Sequence, residues 1–289
     1  MIASGEAGGR DGPGYPVVAI TDVHGQRGFL DRLLARLAGL PEWRRCAVVF
    51  VGDYVDRGPD VRGTLDRVLD LTRRHPGGVW CVAGNHDLAL ARAARLDGGP
   101  RSDYWEESYR ARYDHGPTFS AYLGRPPSGA AWEADLAALR DAMPEAHRVF
   151  LAGLPWLAES SGHLFLHCGL SPELGATAEV QVDALRGRRW DRAAMAPRPG
   201  TATDAWWQDD YPVWLGADKR LSQSPLPYPG RVQVTGHKPV PLPDADDVRI
   251  RLDTSGGLHE PLTACLLTAA DAPPVFLRSD GGPDSVARG

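Results

Sequence analysis

Six short apolar runs, each closing in a polar, glycine-containing turn, constrain this chain more than any other feature. They are PVVAITDVHG (16–25), CAVVFVGD (46–53), VWCVAGNHD (79–87), HLFLHCG (163–169), RVQVTGHK (231–238) and VRIRLDTSGG (248–257). Near-continuous apolar runs of this length read as strands buried on both faces. Helical patterns lie between the first three: GFLDRLLARLAGL (28–40) sets Phe29, Leu33, Leu37 and Leu40 on one face, and VRGTLDRVLDLTRR (61–74) does so with Leu65, Val68 and Leu69. Strand, helix, strand, helix, strand is the signature of an α/β fold. Ligands in such folds collect just outside the carboxyl ends of the strands.

Those ends carry the chemistry. Asp22 and His24 close the first run, Asp53 the second, Asn85 and His86 the third, and His167 and His237 two later ones. A carboxylate so close to a buried strand is costly unless its charge is compensated. Hard oxygen donors mixed with imidazole suit Mn, Fe, Zn or a similar divalent ion. Two such ions about 3.5–4 Å apart clamp a phosphoryl group and generate hydroxide at neutral pH, and one bridging carboxylate would account for Asp53. Taken singly, Asp22, Asp53 and Asp56 are ordinary turn or N-cap residues, Asn85 an ordinary αL residue and each histidine an ordinary hydrogen-bonded one. Jointly, that reading needs six unrelated coincidences at successive strand ends.

A chain of 289 residues with 43% hydrophobic content can bury a sizeable core as one large domain or two small ones. The net charge of −5 gives no overall basic footprint, which disfavours a nucleic-acid partner. The segment MIASGEAGGRDGPG lacks an apolar stretch of secretory or membrane-spanning character, so residues 1–15 read as a flexible tail and no membrane partner is expected. Cys46, Cys81, Cys168 and Cys265 show no CxxC spacing and sit in or beside strand-like runs, as reduced thiols of a cytoplasmic protein do. Two stretches break the strand–helix rhythm. Residues 97–145 look mostly helical around a turn-like YDHGPTFSAYLGRPP, and residues 172–229 are irregular and hold Trp190, Trp206, Trp207 and Trp214. Both read as insertions bordering the site. The end, 279–289, reads as a second flexible tail.

The strings DVHG, GDYVDRG, GNHD, HCGL and TGHKP, in that order, resemble those of the calcineurin-like metallophosphoesterases. The long form GDYVDRG resembles the phosphoprotein phosphatase branch. HGPTFSAY, FLAGLPWLAES, WDR (190–192) and LDTSGG before LTACLL resemble its bacterial and phage protein phosphatases and the symmetrical diadenosine tetraphosphatases. The likeness covers about residues 17–270, and a domain of 16–272 follows from it. It implies a four-layer αββα sandwich, an α/β fold with two mixed β-sheets flanked by helices. It further implies that Asp22 and His24 hold one metal ion, that Asp53 bridges, and that Asn85, His167 and His237 hold the second. His86, paired with Asp56, would be the general acid, a metal-bridging hydroxide the nucleophile, and Arg57 a grip on the substrate phosphate. Mn is the metal expected in assay, with Fe, Zn or Ni as alternatives.

The expected activity is hydrolysis of phosphomonoesters, on Ser/Thr phosphoproteins or small molecules. The alternatives are symmetrical dinucleoside polyphosphate hydrolysis, a catalytically silent metal- or phosphoprotein-binding module, and a nucleic-acid end phosphatase with a basic groove. Departures from the family pattern bear on this choice. Ala83 stands where protein phosphatases usually carry a phosphate-gripping Arg, for which Arg192 is the leading replacement, ahead of Arg188, Arg189 and Arg220. Thr21 replaces a Gly, Asp87 a Glu, and Cys168 an Ala or Gly. Asp253 reads as a turn former, and His75, His115, His163 and His259 as structural residues.

Overall fold

The computed structural model describes residues 12–196, 199, 225–282 and 285–286. In chain order the elements begin with β1 (Val17–Ile20), α1 (Arg27–Leu37), β2 (Ala47–Val51), α2 (Val61–Arg74), β3 (Val79–Val82) and α3 (Asn85–Ala93). There follow α4 (Asp103–Arg112), α5 (Gly116–Leu123), α6 (Trp132–Ala142), α7 (Glu145–Gly153), β4 (Ala158–Glu159), β5 (His163–Phe165) and α8 (Ala178–Gly187). The last part adds β6 (Val232–Thr235), β7 (Asp244–Ala245), β8 (Arg249–Arg251), β9 (Thr263–Leu267), β10 (Val275–Arg278) and β11 (Ser285–Val286).

These strands form two mixed sheets. One has the order β11-β10-β9-β1-β2-β3, with β1, β2 and β3 parallel and β9 antiparallel to β1. The other has the order β4-β5-β6-β8-β7, with β5, β6 and β8 parallel. The alternation of side chains along a strand decides how the sheets stack. Val17 and Ala19 of β1 and Ala47, Val49 and Val51 of β2 share one apolar cluster with Phe165, Val234 and Ile250 of the second sheet. Val18, Ile20, Val48 and Phe50 point the other way, into a cluster with Leu30, Leu33 and Leu37 of α1 and Leu65 and Val68 of α2. The sheets therefore pack face to face with helices outside, as the α/β sandwich expectation requires. Leu164, on the opposite face of β5 from Phe165, shares its cluster with Val182 and Leu185 of α8.

Local chemistry sets the helix boundaries. α2 starts where the Asp60 carboxylate accepts the Gly63 N–H at 2.8 Å. It stops at His75, which precedes Pro76 and has extended backbone. The stretch read as turn-like, YDHGPTFSAYLGRPP, instead contains α5, because Pro117 falls in the first helical turn and Gly124, at φ 70°, caps the end. The sheet also continues past residue 272: β10 pairs with β9, and β11 with β10. Ser279, assigned to the C-terminal tail from sequence, is buried, and its hydroxyl accepts the Leu262 N–H at 3.0 Å. Residues 1–11 of the N-terminal tail and, in the second insertion, residues 197–198 and 200–224, with Trp206, Trp207, Trp214 and Arg220, lie outside the described residues. No helix among the described residues is long and apolar enough to cross a membrane.

Candidate metal and phosphate site

The loops at the carboxyl ends of β1, β2, β3, β5 and β6 converge on one cluster. Asp22, His24 and Asp53 come from the first sheet, Asn85 and His86 from the start of α3, and His167 and His237 from the second sheet. The backbone bends sharply to bring them in. Asp22, His24, Asp53, Asp56, Arg57 and His237 all have φ between 42° and 68°, a conformation that is uncommon outside glycine and concentrates at functional sites. Gly52, at φ 89°, is needed where the loops meet, since a Cβ there would lie 2.5 Å from Gly84 N and 2.8 Å from His167 Nδ1.

Each histidine is oriented through one ring nitrogen so that the other faces inward. His24 Nδ1 donates to the Val55 carbonyl at 2.8 Å and His167 Nδ1 to the Val51 carbonyl at 2.9 Å. The Nε2 of His24 then lies 3.2 Å from Asp53 Oδ2, and that of His167 lies 3.3 Å from the same oxygen. Asn85 Oδ1 is 3.0 Å from His167 Nε2 and 2.9 Å from His237 Nδ1. Lone pairs brought so close repel one another unless a proton or a metal cation sits among them. The electrostatics point the same way. Burial opposes a charge on His167, but the carboxylates of Asp53 and Asp22 override it and push that imidazole up to about 10. Burial likewise disfavours the Asp53 anion, yet His167, His86 and His24 hold it well below the usual carboxylate range.

Asp22 is aimed by its neighbours. Thr21, at the position where a Gly was expected, donates its hydroxyl to Asp22 Oδ2, and the His237 N–H donates to the same oxygen at 2.9 Å. Oδ1 is left buried with no hydrogen-bond partner, 3.9 Å from His24 Nε2. A buried carboxylate oxygen without a donor is suited to ligate a cation. The donor set of Asp22 Oδ1, His24 Nε2, Asp53 Oδ2, Asn85 Oδ1, His167 Nε2 and His237 Nδ1 therefore fits divalent cations. Cys168 Sγ and a ring nitrogen of each of His167 and His237 lie within 4.8 Å of one another. Burial and the Asp53 and Asp22 charges raise its pKa well above the ordinary thiol range, so it stands there as a neutral thiol.

Beside the cluster stands a proton-transfer pair. His86 Nδ1 donates to Asp56 Oδ2 at 2.7 Å, and both residues are buried. The Arg57 guanidinium spans the gap, 3.0 Å from His24 Nε2 and 3.3 Å from His86 Nε2. It is anchored at 2.5 Å to the carbonyl of Gly256. Asp253 makes the turn that holds this carbonyl, accepting the N–H groups of Ser255 at 3.2 Å and Gly256 at 2.7 Å. Its other oxygen is buried without a partner, and burial together with Asp22 pushes its carboxyl up to about 7.

Three contributors had no role in the sequence reading. Asp87, noted only as a replacement for Glu, accepts N–H groups from Asp53 at 2.7 Å, Gly84 at 2.9 Å and Tyr54 at 2.9 Å, locking the two motif loops together. Tyr109 and Thr118, from the first insertion, both donate hydroxyls to Asp56 Oδ1. Thr118 lies within the HGPTFSAY string and is buried on α5.

Arg192 is exposed and lines a cleft of about 940 Å³ with Arg92, Trp156, Arg188, Arg189 and Trp190. Arg188 spends its guanidinium on the carbonyls of Ala152 and Gly153, and Arg186 on Glu159 and Asp183. Ala83 is buried, and its N–H donates to the Pro155 carbonyl at 2.8 Å.

Known proteins share parts of this chain. A 72-residue segment is 35% identical to the serine/threonine-protein phosphatase 6 catalytic subunit of Drosophila melanogaster, covering 25% of this chain and 23% of that one. A 79-residue segment is 42% identical to the symmetrical bis(5'-nucleosyl)-tetraphosphatase of Ralstonia nicotianae, covering 27% and 25%. The chain thus spans about a quarter of the length of these curated relatives. Two solved structures share the fold. A cold-active protein tyrosine phosphatase superposes with TM-score 0.55 at 18% identity, covering 94% of this chain and 79% of its own. A putative diadenosine tetraphosphatase does so with TM-score 0.52 at 18% identity, covering 91% and 92%. The profile of the calcineurin-like phosphoesterases matches residues 15–261, which contain every residue of the cluster, and the chain belongs to that family.

Proposed function

We propose that this chain is a metal-dependent phosphoesterase acting on phosphomonoesters, in which Asp53 would serve two divalent ions. The observation that carries this reading is the near-equal approach of Asp53 Oδ2 to His24 Nε2 (3.2 Å) and His167 Nε2 (3.3 Å) beside the Asp56–His86 pair. Asp22, His24 and Asp53 would hold one ion, and Asp53, Asn85, His167 and His237 the other. Bound there, the ions would supply Lewis acidity toward the phosphoryl oxygens and toward water.

The chain's own residues do the rest. Arg57 binds the phosphate, its planar fork already set by Gly256. His86 delivers a proton from Nε2 to the leaving oxygen, while Asp56 keeps Nδ1–H in place. A silent binding module has no use for this buried acid pair. Dinucleoside polyphosphate hydrolysis is the second reading, favoured by Ala83 at the arginine position and by the segment shared with the Ralstonia nicotianae enzyme. Mn is the cation of choice for assay.

The test is turnover of p-nitrophenyl phosphate, a phosphothreonine peptide and diadenosine tetraphosphate by Mn-loaded protein, with Asp53→Asn and His86→Asn alongside. Wild-type turnover of at least one substrate is expected, with His86→Asn slower by about 10²–10⁴-fold. The preferred substrate separates the two readings. Verified metal-loaded protein inert on all three would sink both.

A further inference from the structure

The helical insertion at 97–145 grips the Asp56–Arg57 turn at several points. Tyr109 of α4 donates its hydroxyl to Asp56 Oδ1 at 2.7 Å, and Thr118 of α5 donates to the same oxygen at 2.5 Å. Thr118 Oγ1 in turn accepts the Asp56 N–H at 3.0 Å, and the Arg57 N–H donates to the Asp114 carbonyl at 3.1 Å. The Tyr113 ring meets His86 edge to face, with centroids 4.7 Å apart and planes at 83°. Asp56, Tyr109 and Thr118 are each fully buried, so water cannot take the place of either hydroxyl. Burial and the Asp56 charge hold the Tyr109 phenol well above its ordinary pKa, so it remains a donor.

We infer that Tyr109 and Thr118 are positioning residues for the proton donor. They occupy Oδ1 and fix the carboxylate plane, which leaves Oδ2 to hold His86 Nδ1–H and turns Nε2 toward the leaving group. The inference rests on the phosphoester reading above. In that reaction the P–O bond to the leaving group breaks with its electron pair staying on oxygen, and the proton that the His86 imidazolium carries on Nε2 moves to that oxygen. Water supplies the oxygen that bonds phosphorus, and the proton it gives up restores the His86 imidazolium by way of solvent. Asp56 takes no proton at any stage. If the hydroxyls served only to satisfy a buried carboxylate, removing one would lower stability and slow all substrates alike.

Leaving-group dependence separates these roles. p-Nitrophenolate departs with little need of a proton, whereas phenolate needs one. Tyr109→Phe and Thr118→Val are expected to lower kcat/KM on a series of aryl phosphates by a factor that grows with leaving-group pKa. The loss should be about tenfold or more greater on phenyl phosphate than on p-nitrophenyl phosphate. Thr118→Ser, which keeps the hydroxyl, should restore the wild-type slope. An equal loss across the series overturns the inference. A second readout needs no turnover: the far-downfield proton resonance of His86 Nδ1–H, assigned by its loss in Asp56→Asn, should move or broaden in both variants. An unmoved resonance overturns the inference even if the protein proves inert on every aryl phosphate, a result that would count against the phosphoester reading alone.

Discussion

Asp87 accepts three main-chain N–H groups from two loops, and burial with the neighbouring Asp53 charge still pushes its carboxyl up to about 7. Asp87→Asn replaces one acceptor oxygen with a donor amide facing those N–H groups, and the loss should be about 1–3 kcal/mol. Denaturant unfolding of metal-free protein measures it. A midpoint equal to that of the wild type would show that the loops hold each other without Asp87. Asp22, Asp53, Asn85, His167 and His237 were legible in the sequence because each ends an apolar run and has a chemistry seldom placed there idly. Tyr109 and Thr118 were not, because they meet Asp56 across 53 and 62 residues. Nothing in a local string of Tyr or Thr announces such a partner. Arg192 was read from its WDR string alone, and that string carries no information on which surface it faces.

The strands and the first two helices were legible for a related reason. Burial on both faces writes a continuous apolar run, and one-sided burial writes a helical stripe. α5 escaped because Gly-Pro was read as a turn, although proline at a helix start costs nothing. The two-residue strands β4, β7 and β11 are too short to leave a pattern. β5 carries a testable group at its start. Burial pushes His163 down to about 4 from an ordinary 6.5, and Tyr15 donates its hydroxyl to the neutral Nδ1 at 2.5 Å. The folded pKa is depressed, so the contribution is full above pH 6.5 and is lost as pH falls through about 4. The loss amounts to about 3 kcal/mol at most. Unfolding free energies of wild type and His163→Gln between pH 7 and pH 4 should converge on acidification. Parallel curves would remove His163 from the acid response.

The whole molecule assembles its candidate cation site from both sheets, and the topology that does so could not be read from local pattern. Asp22 and Asp53 leave the first sheet, His167 and His237 the second, and only the strand order reveals that these ends face each other. A cation bound by both halves stabilises the folded state by mass action. Each ion at about a hundredfold excess over its Kd should add about 2.7 kcal/mol. Calorimetry with and without a chelator checks this, and an unchanged melting temperature would mean that the cluster holds no ion.

The bond between the His237 N–H and Asp22 Oδ2 joins residues 215 positions apart. During synthesis Asp22, His24 and Asp53 therefore leave the ribosome long before their last companion. A cation caught early meets only part of its coordination sphere. Discrimination among metals would thus fall to the finished chain, in whatever ionic surroundings it then occupies.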